Sequence, residues 1–188
     1  MSNEQDAKWM FEGVEIPFRS NRNNTCLTFT PDGITWPEIG ADPGNLVGFH
    51  VDFVTEQVSK TTLGFPFSTS LSCYVSGLSS FAETLQAIRS GEAASATLQD
   101  CDDGTAFYMG IRTIPSPDQA VVVTVRFCYP HGYWDWDEAR VFDQPRCVED
   151  RELTFVTARA YFLTDQSYLV QPIESIQEYL RRLSDECP

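Results

Sequence analysis

His50 and Asp52 are the residues of this chain best placed to do chemistry together. They lie two apart in a stretch where Val47, Phe49, Val51 and Phe53 alternate with more polar residues. Period-two spacing puts both on one face of a strand, where an imidazole and a carboxylate can touch. A general base and its orienting acid have this form. Catalysis would also need a nucleophile. No serine stands in a recognisable elbow, and Cys73 falls on the apolar parity of its own strand. The plainer reading is a surface pair on a solvated sheet face, and a small enzyme with a His50/Asp52 site stands as an alternative.

Three other groups have metal or acid–base types. Cys128 and His131 are spaced as in some zinc half-sites, but two further ligands are required, and nothing in the spacing pairs Cys147 or Cys101 with them. A buried strand cysteine and a turn histidine are the preferred reading. Asp100, Asp102 and Asp103 before Gly104 suit calcium, yet no glutamate follows at the closing position of the loop, so a solvated turn is expected. Glu149, Asp150 and Glu152 have no identifiable facing carboxylate, so they predict no hydrolase. No metal and no cofactor is expected.

The segment Tyr133, Trp134, Asp135, Trp136, Asp137 and Glu138 offers a different kind of site. Aromatic rings supply interface anchors, and the interleaved carboxylates suit Arg or Lys on a partner. These six residues are the expected partner-binding set. Trp134 and Trp136 stacking on a carbohydrate or small ligand is the alternative, and inward packing that pins a long loop is the bland one.

Composition narrows the classes. The 188 residues carry 27 carboxylates against 13 cations, a formal net charge of −14. Such a surface repels nucleic-acid backbones and anionic lipids and favours encounter with basic proteins. Lys8 and Lys60 are the only lysines, a bias that GC-rich bacterial genomes produce. No apolar run reaches the ~18 residues of a membrane span, and the first residues lack the layout of a secretory signal. A cytoplasmic location is therefore expected, with six widely spread cysteines free rather than paired.

A chain of this length fits a single domain, 1–188. Residues 1–24 read as a polar extension and 130–150 as a long acidic loop insertion. Between them, strands are expected near 26–30, 47–54, 65–75, 93–99, 107–111, 121–127 and 153–163, joined by short turns as in an antiparallel meander. Ser80 and Glu83 have capping-box spacing, and Phe81, Leu85 and Ile88 share a helical face that Gly91 ends. A helix is thus predicted over 80–90. A second, over 166–184, opens at Asp165 and buries Leu169, Ile173, Ile176, Leu180 and Leu183. No internal repeat is evident. The fold class is α+β: a curved antiparallel sheet packed against two helices.

Phe81-Ala82-Glu83-Thr84-Leu85, Gly91-Glu92-Ala93 and Asp165-Gln166-x-x-Leu169, in this order around several strands, resemble bacterial WapI-like immunity protein domains. The resemblance covers roughly the second half of the chain. It implies a non-enzymatic protein that binds and neutralises a cognate toxin in the producing cell, and it transfers no catalytic residue; the acidic composition makes a basic toxin the expected one.

Overall fold

The apolar alternations form eight strands and two long helices in a computed structural model that describes residues 11–33, 46–55, 67–101, 107–115, 120–131 and 154–186. Strands β1 (Ile16–Arg19), β2 (Cys26–Gly33), β3 (Leu46–Val54) and β4 (Phe67–Tyr74) make one antiparallel meander. Helix α1 (Val75–Ser90) follows. Strands β5 (Ser95–Gln99), β6 (Phe107–Thr113), β7 (Ala120–His131) and β8 (Thr154–Asp165) make a second meander. A 3-10 turn (Gln166–Leu169) then leads into helix α2 (Val170–Glu186). The fold is α+β and antiparallel, as the patterning predicts. The strands, however, divide into two four-stranded sheets rather than one curved sheet.

The inner parities of both sheets face a common core. Phe29 meets Phe107 at 5.6 Å between ring centroids, and Phe53 meets Phe127 at 6.1 Å. The helices join through Phe81 against Phe18 (6.2 Å) and Tyr179 against Phe49 (5.2 Å). Burying one such side chain contributes about 1.5–3 kcal/mol, so this cluster outweighs any surface ion pair in holding the layers together. The supposed polar extension also enters this core. Phe11, Val14, Ile16 and Phe18 are all buried, and Phe11 packs on Tyr179 at 4.7 Å. Its polar neighbours Glu12, Glu15 and Arg19 lie outside, which disguises a short amphipathic strand.

The same succession, meander then helix, occurs twice. The two seams where the sheets meet are built alike. The Cys101 amide just past β5 donates to the Ser72 carbonyl near the end of β4 (2.7 Å), and the Asn21 amide just past β1 donates to the Leu163 carbonyl near the end of β8 (3.3 Å). Each seam has these local bonds and no ladder, so the sheets do not close into a barrel. The helices match too. Leu78, Ala82, Leu85 and Ile88 of the first unit fall in step with Leu169, Ile173, Ile176 and Tyr179 of the second, and all are buried. The side chains differ at most of these positions, so the repeat leaves no trace in residue identity.

Helix α1 begins five residues before Ser80. Its N-cap is Tyr74, with no side-chain cap, and Leu78 extends the buried stripe. Ser80 is interior, its carbonyl accepting from Thr84 Oγ1 at 2.7 Å. At the other end Gly91 holds φ 81°, a left-handed geometry in which the Glu92 amide donates back to the Ala87 carbonyl at 2.8 Å. The expected N-cap Asp165 accepts from the Ser167 amide at 2.8 Å. Pro172 falls in the first turn of α2, where its missing N–H would have had no intrahelical acceptor. On that helix Tyr179 is fully buried, and Leu180 only partly. Among the described residues no helix is long and apolar enough to cross a membrane.

Candidate functional site

Strand β3 lies inside its sheet, between β2 and β4, and presents His50 and Asp52 on the outer face. Their contact is made: His50 Nε2 lies 3.3 Å from Asp52 Oδ1, with about half of each side chain open to solvent. Hydroxyl-bearing residues flank them in the ladders. Thr30 and Ser70 stand opposite His50 on β2 and β4, and Thr28 stands opposite Asp52. The opposite parity of the same strands is apolar and buried, which fixes this polar set outward.

A third ionisable group arrives by a device that the sequence pattern hides. The register of β2 against β3 shifts between Pro31 and Gly33, leaving Asp32 as the extra residue of a bulge. Its carboxylate lies against Gly48, in the volume a side chain there would need. Asp32 as a residue is exposed, while its carboxylate is crowded against the sheet. That local desolvation raises its pKa, outweighing a backbone hydrogen bond and the nearby His50, which lower it. Pro31-Asp32-Gly33 reads in sequence as a turn. The usable signal was parity, since Thr28, Thr30 and Asp32 alternate, with a glycine on the next strand to admit the carboxylate.

A groove of about 300 Å³ adjoins this face through Thr30 and Pro31, and is otherwise lined by Phe11, Glu12, Gly13, Val14 and Glu15. Glu12 and Glu15 are exposed. The region therefore sets Asp32 and Asp52 near the His50 imidazole, with Glu12 and Glu15 on the adjoining groove. Such a set can move a proton at His50 or bind a cation-bearing side chain. The face itself is an open sheet surface, and a second groove of about 310 Å³ lies elsewhere, between β1 and the start of α2.

The remaining sequence candidates separate. Cys73 is buried, and burial above all, with Cys101 and Asp100 nearby, pushes its thiol up to about 12. It is on the opposite face of the sheet from His50, so the two do not form a nucleophile–base pair. Cys26, Cys73 and Cys101 are free thiols. Asp100 is a correction to the solvated-turn reading: it is buried at the seam, where Oδ2 accepts from the Ser72 amide at 3.2 Å. Cys128 and His131 lie on β7, but their side chains fall outside the described residues, as do Cys147, Asp102 and Asp103. Among the described residues, no three His, Cys, Asp or Glu side chains are grouped to hold a metal ion. The expected partner-binding set, Tyr133, Trp134, Asp135, Trp136, Asp137 and Glu138, lies outside the described residues, as do Glu149, Asp150 and Glu152.

No protein-family model, curated protein or solved structure matches this chain.

Proposed function

We propose that this protein is a non-enzymatic binding protein whose acidic surface engages a basic protein partner, in the manner of an immunity protein occluding a toxin. The observation that carries this reading is the grouping of Glu12, Glu15, Asp32 and Asp52 along one groove and sheet face. Carboxylates on an open, rigid sheet steer a cationic partner and then pair with its Arg or Lys side chains. The net charge of −14 strengthens the long-range part of that attraction. Resemblance of residues 80–183 to WapI-like immunity domains supports the more specific assignment to toxin neutralisation within the producing cell. The segment 133–138 would add aromatic anchors to the same interaction.

The test begins with co-purification of the tagged chain from its source cells at low salt, followed by titration against the basic partner recovered. Tight stoichiometric binding that suppresses the partner's toxicity supports the reading. A partner that is acidic, or whose activity survives saturation, contradicts it.

One observation favours a second reading, a small enzyme: the His50–Asp52 contact exists. His50→Gln would abolish turnover of any substrate in that case and leave partner binding nearly unchanged.

A further inference from the structure

The outer face of the second sheet has the opposite character to that of the first. Its outward positions are Ser95, Thr97 and Gln99 on β5, Tyr108, Gly110 and Arg112 on β6, Val122, Thr124 and Arg126 on β7, and Arg159, Tyr161 and Leu163 on β8. These rows contain three arginines and no carboxylate. Asp165, at the far end of β8, is held by Asn21 Nδ2 and the Ser167 amide.

In a chain with 27 carboxylates and 13 cations, arginine rows without acids among the described residues are not the expected arrangement. The helix α2 shows the ordinary one: Arg181 bonds Glu178 and Asp185, and Arg182 bonds Glu178, at 2.7–2.9 Å. On the sheet, Arg112 and Arg159 are exposed, and among the described residues neither side chain makes a hydrogen bond or ion pair. Arg159 also stands directly opposite Arg126 in the β7–β8 ladder. Like charges so placed have Cβ atoms about 4.5–5.5 Å apart and oppose pairing of their strands.

The aromatic residues define the rest of the surface. Tyr108 leans over Gly110 and carries the Arg126 guanidinium 5.5 Å above its ring. That stack is a cation–π contact of ordinary length. Tyr161, two residues along from Arg159, is 71% exposed, the most exposed large hydrophobic residue described. Val122 and Leu163 are half-buried beside Arg112 in the next row.

We infer that this face binds an acidic peptide segment of a partner protein. Arg112 and Arg159 would take carboxylates, and Tyr161 an apolar or aromatic side chain between them. Guanidinium forks suit carboxylates by paired hydrogen bonds, and those bonds act at short range. A nucleic acid offers the same face a denser run of charge. It must approach a molecule of net charge −14, and it loses more to that repulsion than a short peptide does. The inference stands apart from the proposed acidic-face function, because it concerns a different sheet and a ligand of opposite charge.

The test is fluorescence anisotropy at low ionic strength, with two labelled probes: a short peptide of alternating Glu and Tyr, and an oligothymidylate of equal charge. Wild-type protein is expected to bind the peptide more tightly. Arg112→Ala and Arg159→Ala should each weaken it about tenfold, and Tyr161→Ala should weaken it with less effect on salt dependence. Arg181→Ala, on α2, should match wild type, and thermal melts should show all variants folded. No peptide binding by the wild type, binding unaffected by either sheet arginine, or tighter binding of the oligothymidylate would each overturn the inference.

Discussion

The Asp32 carboxylate occupies the space that a side chain at Gly48 would fill. The bulge in β2 delivers the acid, and the missing Cβ on β3 admits it, so the two residues form one device. Gly48→Ala must displace the carboxylate or strain the β2–β3 pairing. The expected result is a loss of about 1–3 kcal/mol in denaturant unfolding, as for other overpacked sites. Gly48→Ala combined with Asp32→Gly should recover most of that loss. No recovery in the double variant would show that the two are not coupled.

Asp165 ties three parts of the fold. It caps the 3-10 turn, receives Asn21 Nδ2 at 3.0 Å, and ends the strand whose Leu163 carbonyl accepts from Ser20 Oγ at 2.9 Å. Partial burial raises its pKa, but bonds from Ser167, Asn21 and the Ser167 and Tyr168 amides outweigh that and lower it below the ordinary 3.8. A lowered carboxylate contributes stability that is fully present above its unfolded pKa and lost as pH falls through the folded one. Asp165→Ala should therefore cost about 1 kcal/mol at neutral pH, a typical N-cap value. The gap between variant and wild type should shrink in melts taken below pH 3.8. A gap that persists at the acid end would assign the loss to packing rather than to the ionised cap.

Cys73 should be inert in the native protein. Its folded pKa of about 12 lies above the ordinary 9.0, so the thiol is protonated near neutrality and its neutral form favours the fold below pH 9; that contribution is lost as pH rises through about 12. Alkylation with mass mapping at pH 8 should label Cys101 and Cys26, which are partly exposed, well before Cys73. Unfolding should equalise the rates. Rapid native labelling of Cys73 would contradict its assigned burial.

The start of α1 supplies the clearest case of a feature tertiary packing decides. Val75-Ser76-Gly77-Leu78-Ser79 has weak helix formers and no cap, while Ser80 and Glu83 advertise a beginning that is not used. Leu78, 1% exposed, is what holds the extra turn. Leu78→Ala should destabilise by about 2–5 kcal/mol, whereas Ser80→Ala should be close to neutral. The reverse order would restore the helix start to Ser80.

Much of the fold is written in local patterns. Parity on β3 and β7, Gly91 after α1 and Asp165 before α2 each express a local rule with no competing signal. The division into two sheets is not local, because it depends on seam bonds between residues as distant as Asn21 and Leu163. β1 was obscured by its charged neighbours, and the meander–helix repeat by differing side chains on matched positions. For the site, the His50–Asp52 contact follows from spacing alone. Asp32 required the bulge, and the arginine face required knowing which strands lie side by side.

We propose that the acidic face around Glu12, Glu15, Asp32 and Asp52 binds a basic partner without catalysis. The most direct test is the affinity of the co-purified partner for wild type and for the combined Glu12→Gln, Glu15→Gln, Asp32→Asn, Asp52→Asn variant, each measured across a salt series. The variant is expected to lose affinity about tenfold or more, with a flatter salt dependence and an intact fold. Equal affinity and equal salt dependence in a folded variant would contradict it.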